Sequence, residues 1–294
     1  EKHQKKLKFL IPKTYVFKLG DYKSRKKLIV KNILKKFNKK KIIIRSSSIH
    51  EDQPNKSLAG KYDSFFDIKC EPKILEKFIN LVIKKFNNNN DQILIQEYIN
   101  DVDKAGVVFT RNLNNNAPYY YINYDKSGKT NFITSGKNSK STQFVTISRF
   151  KTNINTNFKK LLNIIQGIEK IFSNDRLDIE FCIKNNKIYI FQCRPLYFLS
   201  KSNDKEIKSM LINIEKKIKK IALKNPFISG NTTYLSNMAD WNPAEMIGSK
   251  PKTLQSSLYA ELITDNVWAK QRHDYGYRNV LDQPLMFNLG GSPY

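Results

Sequence analysis

The strongest constraint on the fold is a predicted β-hairpin whose two strands each carry a pair of polar side chains in an otherwise apolar setting. Asp178 and Glu180 lie two residues apart in the first strand, and Gln192 and Arg194 lie two residues apart in the second. Because side chains alternate along a strand, each pair shares one face. The spacing therefore predicts that all four polar groups meet on a single face of the hairpin.

The turn of this hairpin sets which residues face each other. A three-residue turn at residues 185–187, where asparagines tolerate the left-handed conformation, places Glu180 opposite Gln192 and Asp178 opposite Arg194. Carboxylate and amide oxygens suit Mg²⁺, and a guanidinium fits phosphate. The pattern is typical of a site for metal-bound polyphosphate. A solvated face with a cross-strand Asp–Arg pair is the alternative interpretation.

Composition narrows the class of protein. The chain has 294 residues, 40% of them hydrophobic, which is enough for roughly two globular domains. No apolar run reaches the ~18 residues of a membrane span, and no secretory signal pattern is present, so no membrane partner is expected. Three cysteines (Cys70, Cys182 and Cys193) do not suggest a disulfide framework. Together these features predict a cytoplasmic protein.

A net charge of +26 raises the possibility of a nucleic-acid partner. The lysines, however, come as dispersed pairs and triplets among Asn and Ile, and arginine is scarce. This distribution indicates a composition bias, so no nucleic-acid partner is expected. A basic nucleic-acid-binding or non-catalytic nucleotide-binding module remains the alternative from a different class.

Periodicity predicts alternating strands and helices up to residue 200, then a change in composition. Residues 201–230 are predicted to form a helical connector, and residues 231–294 a separate segment that is richer in Trp, Tyr, Gly and Pro. The predicted strands are 41–46, 93–97, 105–110, 118–124 and the two of the hairpin, and the predicted helices are 71–87, 157–172 and about 204–223.

A second group of polar residues follows the first of these strands. Arg45 lies at the end of the strand, so its positively charged side chain is expected to project from the sheet edge. The loop after the strand contains Ser57 and Gly60. Such a loop can lay backbone N–H groups over phosphates, although a polar loop with one glycine is common.

Three blocks together resemble the N-terminal nucleotide-binding domain of pyruvate phosphate dikinase and phosphoenolpyruvate synthase. They are residues 45–60, residues 96–112 and the hairpin at 178–195, in the order and spacing of that family. The resemblance covers about residues 1–200. It implies an α+β fold of the ATP-grasp type, in which two α+β subdomains clasp ATP, followed by the start of a mixed, helix-containing middle domain. ATP and Mg²⁺ are the implied cofactors.

The resemblance also implies a nucleotide site. Arg45 is expected to contact the polyphosphate, and a loop around Gly60 to close over it. A phosphate-binding lysine near the start of the family's domain matches Lys2. The other residues implied to contact the nucleotide are Ser57, Gln96, Glu97, Tyr98 and Asp178.

The metal and the transferring phosphoryl group are implied to lie on the hairpin. Glu180 and Gln192 are expected to hold Mg²⁺, while arginines stabilise charge on the transferring group. The implied catalytic residues are Arg45, Arg111 and Arg194.

Two departures from the family affect the expected reaction. Where the dikinases have a Gly-Leu-Gly-Glu-like sequence, the chain has Tyr-Ile-Asn-Tyr-Asp-Lys-Ser-Gly-Lys-Thr at residues 121–130. No histidine lies in the small-residue setting of a phosphohistidine carrier, so that domain is expected elsewhere in a longer polypeptide and is the expected protein partner.

Residues 240–248, Asp-Trp-Asn-Pro-Ala-Glu-Met-Ile-Gly, resemble the middle region of L-glutamine kinases of bacterial capsule biosynthesis. This implies that ATP, L-glutamine and water give L-glutamine phosphate, AMP and phosphate through a phosphohistidine. L-glutamine is therefore the favoured small-molecule substrate. A phosphoenolpyruvate synthase-like enzyme or an antibiotic phosphotransferase with another acceptor is the alternative.

Overall fold

The computed structural model of the chain divides into two compact units, residues 1–202 and 203–294. The residues whose structure is described are 4–38, 40–47, 52–53, 56–57, 64–86, 88–127, 142–151, 157–197, 202–223, 230–231, 242–279, 286–289 and 291–293. Within those ranges, no helix is long and apolar enough to span a membrane.

Strands outnumber helices in the first unit, and two short strands lie in the second. In chain order the strands are β1 (Thr14–Lys18), β2 (Lys41–Ser47), β3 (Asp52–Gln53), β4 (Lys56–Ser57), β5 (Ser64–Lys69), β6 (Gln92–Glu97), β7 (Lys104–Phe109), β8 (Tyr119–Asp125), β9 (Thr142–Ser148), β10 (Leu177–Lys184), β11 (Lys187–Pro195), β12 (Asn288–Leu289) and β13 (Ser292–Pro293). The α-helices are α1 (Gln4–Leu7), α2 (Leu19–Phe37), α3 (Pro72–Ile83), α4 (Lys159–Phe172), α5 (Asp204–Ile221), α6 (Pro243–Met246), α7 (Thr253–Tyr259) and α8 (Val267–Asp274).

The first subdomain is a four-stranded antiparallel sheet, in the order β1-β6-β2-β5, covered by α2 and α3. Ile42 and Ile44 alternate along β2, so both face the helices. They join Ile33, Leu75 and Ile79 in one apolar core, and all five side chains are fully buried. The intervening residues of β2 consequently face away from the helices.

The second subdomain is a five-stranded antiparallel sheet, in the order β11-β10-β7-β8-β9, with α4 packed on one face. Val108, Ile122 and Ile179 project from three neighbouring strands onto Leu161 and Ile165 of the helix, and all five are fully buried. Two sheets, each covered by helices on one face, confirm the predicted α+β class.

The hairpin of β10 and β11 has the predicted residue pairing but a different turn. The turn contains two residues, Asn185 and Asn186, both at positive φ (50° and 59°), and not the predicted three. A two-residue turn alone would place Phe191 opposite Glu180. A β-bulge in β11 adds one residue and restores the predicted opposition of Glu180 and Gln192.

Most predicted elements of the first unit are present, with boundaries shifted by a few residues. The helix predicted to reach residue 87 ends at Ile83. Sequence periodicity missed the helices α1 and α2 and the strands β1, β3, β4, β5 and β9.

The second unit is mainly helical. Helix α5 lies within the residues predicted as a connector, and none of its side chains is buried. Asn242 caps α6, with its Oδ1 accepting from the backbone N–H of Ala244 at 3.0 Å. Helix α7 continues into a π-helical turn, Ala260–Thr264, and α8 buries Trp268.

Candidate functional site

The site begins with the residues of β2 that face away from the helices. Ile43 and Arg45 point towards the second subdomain, because Ile42 and Ile44 point into the first core. Arg45 is only 7% exposed, and with Ile43 and Glu180 it lines a cavity of about 10 Å³. A charged side chain from one sheet therefore lies against the face of the other.

Two side chains of the hairpin hold the Arg45 guanidinium. Nη1 and Nη2 donate to Oε2 of Glu180 at 3.3 and 3.1 Å, and Nη1 donates to Oε1 of Gln192 at 2.9 Å. Arg194 donates to the same Gln192 oxygen at 2.8 Å. The side chains of Arg45 and Glu180 are 9% and 14% exposed, so this is a largely buried charge pair that links the two sheets.

Asp178 is the second carboxylate of the site and lies opposite Arg194 in the sheet. Burial is the main cause that raises its pKa to about 6, with a contribution from the nearby Glu180, while Arg194 opposes the rise. Its Oδ1 is buried and has no hydrogen-bond partner. An unsatisfied carboxylate oxygen of this kind favours the approach of a cation or a donor.

Strand register extends the site across the whole second sheet. Directly opposed residues of neighbouring strands share a face, so they form rows across the sheet. One row, in order from β11 to β9, is Arg194, Asp178, Phe109, Tyr121 and Thr146.

A parallel row starts at Gln192 and Glu180 and continues through Val107, Asn123 and Phe144. With strands about 4.8 Å apart, Glu180 and Phe144 are separated by roughly 14 Å. Phe144 is 76% exposed. The face therefore changes from charged groups at β10 and β11 to exposed aromatic and polar groups at the edge strand.

Gln96 and Glu97, two of the residues implied to contact the nucleotide, lie on opposite faces of β6. Gln96 lies opposite Ile43 and so faces the second subdomain; it is 2% exposed, and its Oε1 is buried without a hydrogen-bond partner. Glu97 lies opposite Ile42, on the helix side, and pairs with Lys40 at 2.6 Å.

Tyr98, the residue that follows β6, makes a backbone hydrogen bond to the start of β2. The N–H of Tyr98 donates to the carbonyl of Lys41 at 3.0 Å. The structure thus brings Gln96 to the side of Arg45 and Glu180, and it places the carboxylate of Glu97 on the opposite face.

Arg111 lies just beyond β7 and pairs with Asp175, while its Nη1 also donates to the carbonyl of Asn116 at 3.3 Å. Because Phe109 is opposite Asp178, this ion pair lies next to the start of β10.

The remaining predicted residues lie in or near the loop after β2 and at the start of the chain. Ser57 belongs to β4, whose backbone pairs with β3. Gly60 and Lys2 lie outside the described residues.

The donor set of the hairpin fits a hard divalent cation. Asp178, Glu180 and Gln192 supply carboxylate and amide oxygens, which Mg²⁺ prefers over the nitrogen and sulfur ligands of zinc. Among the described residues, no three His, Cys, Asp or Glu side chains cluster as a metal site. A cation bound here would thus need oxygens from another source, such as phosphates or water.

Sequence reasoning missed two features of this site. It assigned Arg45 to polyphosphate but gave no signal of its direct contact with Glu180, since that contact joins two separate sheets. It also missed the row through Phe109 and Tyr121. The alternation in Tyr119, Tyr120 and Tyr121 was the available signal, because Tyr120 is buried and its neighbours are partly exposed.

Two helix-covered sheets that face each other across a row of arginines, carboxylates and an amide define a nucleotide-binding domain of the ATP-grasp type, as the sequence predicts. The family model described as "Pyruvate phosphate dikinase, AMP/ATP-binding domain" matches residues 23–92 and 119–213. The chain belongs to this family. The matched residues include β2 with Arg45 and the whole hairpin from Asp178 to Arg194.

Individual relatives are more distant. A protein of Bacillus subtilis (strain 168) described as "Uncharacterized phosphotransferase YvkC" is 26% identical over 201 residues, covering 53% of this chain. The match covers only 24% of that relative's length.

Similar solved structures include the macrocyclase MdnC bound with precursor peptide MdnA from Microcystis aeruginosa MRC, at 14% identity and a TM-score of 0.37, covering 72% of this chain and 58% of that one. The D-alanine-D-alanine ligase from Coxiella burnetii is 11% identical with a TM-score of 0.37, covering 76% and 60%.

Proposed function

We propose that this chain is the nucleotide-binding part of an ATP-dependent phosphotransferase. The observation that carries the proposal is the convergence of Arg45 and Arg194 with Asp178, Glu180 and Gln192 on one face between the two sheets. Guanidinium groups match phosphate oxygens, and carboxylates match a phosphate-bound cation. Family membership and the phosphotransferase description of the Bacillus relative both support this function.

Each group has a role that follows from its position. Arg45 and Arg194 would bind phosphate oxygens and offset the charge that develops on the transferring group. Glu180 and Gln192 would hold Mg²⁺, with Asp178 beside them; the metal would neutralise phosphate charge. The buried Gln96 offers an amide to the base, since its Oε1 has no partner.

We propose further that the acceptor is L-glutamine and that a phosphohistidine domain of the same polypeptide carries the phosphoryl group to it. The reaction would convert ATP, L-glutamine and water to L-glutamine phosphate, AMP and phosphate. The block around Asn242 and Pro243, which resembles L-glutamine kinases, supports this acceptor. Pyruvate is the second candidate, because the matching family model is that of a pyruvate enzyme.

The nucleotide site can be tested on this chain by calorimetry with Mg²⁺ and a non-hydrolysable ATP analogue. We expect Glu180→Gln to weaken binding at least about tenfold, because an ionised ligand becomes neutral. Glu76→Gln is the matched control, since Glu76 is a surface residue paired with Lys26 and should bind as the wild type does. Unchanged binding by Glu180→Gln would reject the site.

The acceptor requires the full-length protein. ³¹P NMR with Mg·ATP and either L-glutamine or pyruvate should show a phosphoramidate signal with AMP and phosphate only when L-glutamine is present. Phosphoenolpyruvate formed from pyruvate would replace glutamine as the acceptor. Salt-dependent RNA binding without any nucleotide affinity would instead support a basic binding module and reject the enzyme.

A further inference from the structure

Arg45 occupies two of the oxygens that a metal ion would need, one of Glu180 and one of Gln192. Its two terminal nitrogens donate to Glu180 at 3.1 and 3.3 Å and to Gln192 at 2.9 Å. These are the two hairpin residues whose oxygens would hold Mg²⁺ in the function proposed above. A cation cannot approach Oε2 of Glu180 or Oε1 of Gln192 closely while the guanidinium stays in place.

Charge in this part of the cleft is already balanced. Two guanidiniums, of Arg45 and Arg194, lie with two carboxylates, of Asp178 and Glu180. A divalent cation entering alone would leave a net positive charge in a largely buried position, which is costly. The same cation arriving with nucleotide phosphates brings excess negative charge, which compensates both the metal and the arginines.

The space beside this ion pair is also small. The cavity that Arg45 and Glu180 line, together with Phe191 and Ile43, has a volume of about 10 Å³, which holds about one water molecule. A polyphosphate therefore needs Arg45 to leave Glu180 before it can bind between the sheets. Leaving is feasible because phosphate oxygens can accept the hydrogen bonds that the guanidinium gives up.

We infer that Arg45 acts as the counter-cation of the nucleotide-free cleft and blocks the metal ligands until nucleotide arrives. The deduction rests on the proposed function and adds an order of binding to it: the divalent cation enters only as a complex with nucleotide. When that complex binds, Arg45 transfers its donors from Glu180 and Gln192 to phosphate, and the cation takes the vacated oxygens. The buried Nε of Arg45, which has no partner in the closed cleft, is a further donor available to phosphate.

Removal of Arg45 should therefore create a metal site that does not require nucleotide. Mn²⁺ alone, followed by the loss of its free-ion EPR signal, is a suitable probe. We expect Arg45→Met to bind Mn²⁺ at least about tenfold more tightly than the wild type, because a positive charge leaves the ligand oxygens. The same substitution should weaken binding of the Mg·ATP analogue, so the two affinities change in opposite directions.

Matched variants distinguish the removal of Arg45 from the ligand oxygens from the loss of a positive charge elsewhere on the protein. Lys41→Met removes one positive charge from the same strand, at a surface pair with Asp67, and should leave Mn²⁺ binding unchanged. The double variant Arg45→Met/Glu180→Gln should lose the gained Mn²⁺ site. Arg45→Gln, whose amide can still donate to Glu180, provides a second folded background in case Arg45→Met is unstable.

The outcomes distinguish this inference from the proposed function. Tight Mn²⁺ binding by the wild type alone, or no gain in either folded Arg45 variant, would overturn the blocking role while leaving nucleotide binding intact. Absence of nucleotide binding by the wild type would reject the proposed function, whatever the Mn²⁺ titration shows. A gain in both Arg45 variants that Glu180→Gln abolishes would establish the exchange.

Discussion

Gly106 provides the sharpest test of the second sheet. It lies in β7, with β10 on one side and β8 on the other. A Cβ atom added at Gly106 would lie 2.1 Å from the carbonyl oxygen of Asn123 and 2.9 Å from the Cα of Tyr124. Both are backbone atoms of β8, so no side-chain rotation can relieve the contact.

The expected cost follows from these distances. A close C···O contact is about 3.3 Å, so β8 would have to move by about 1 Å. Such a shift would stretch ladder hydrogen bonds between β7 and β8. Overpacking costs about 1–3 kcal/mol where side chains can adjust, so we expect Gly106→Ala to lower the free energy of unfolding by about 3 kcal/mol or more.

Urea unfolding of three glycine variants measures this effect. Gly20→Ala is the control, because its Cβ would meet the nearest atom, Asn89 O, at an ordinary 3.4 Å. In Gly167→Ala the closest atom is Leu7 Cδ2 at 2.3 Å, a flexible side chain, and the cost should be intermediate. If Gly106→Ala unfolds within about 1 kcal/mol of Gly20→Ala, the close approach of β7 and β8 is wrong.

Three further predictions concern the hairpin and its contacts. Arg45→Met and Glu180→Gln should each lower the free energy of unfolding by about 3 kcal/mol, because each leaves one charged partner unpaired. The double variant should lose clearly less than the sum of the two. Urea unfolding of the wild type and the three variants measures this, and additive losses would contradict the pairing. Burial raises the pKa of Cys182 from its usual 9.0 to about 12, so the folded chain keeps a proton that the unfolded chain loses as pH rises through that range. The unfolding free energy of the wild type should therefore fall relative to Cys182→Ala by about 2–3 kcal/mol between about pH 8 and about pH 11, and a pH-independent difference would contradict this burial. Asn186→Ala should lower thermal stability by about 1 kcal/mol while Asn186→Gly should not, because the turn needs positive φ there; equal losses would refute the turn.

Local patterns were sufficient to predict the hairpin, because alternation is a property of each strand alone. The opposition of Glu180 and Gln192 was correct, although the predicted turn was wrong. A three-residue turn and a two-residue turn with one bulged residue give the same register beyond the bulge. The sequence cannot separate these two solutions, since the bulge at Phe191 depends on packing against the rest of the sheet.

Sequence periodicity does not predict contacts between separate sheets. The pairing of Arg45 with Glu180 joins residues 135 positions apart, and no local signal reports it. The edge strand β9 was missed because its apolar pattern is weak: Phe144 is exposed, and four of the seven residues of the strand are polar. The opposite facing of Gln96 and Glu97 follows from strand parity, but only once the partner of each in β2 is known.

The tight turn and the bulge also limit how the hairpin can change in length during evolution. If the bulge were lost while Phe191 stayed in the strand, Cys193 would lie opposite Asp178, and Gln192 and Arg194 would turn towards the helix α4 side. Deletion of Phe191 itself would instead remove the bulge and leave Gln192 opposite Glu180. The hairpin can therefore change by one residue at the turn or at the bulge, whereas a single insertion or deletion between Gln192 and Arg194 would put one of the two side chains on the other face.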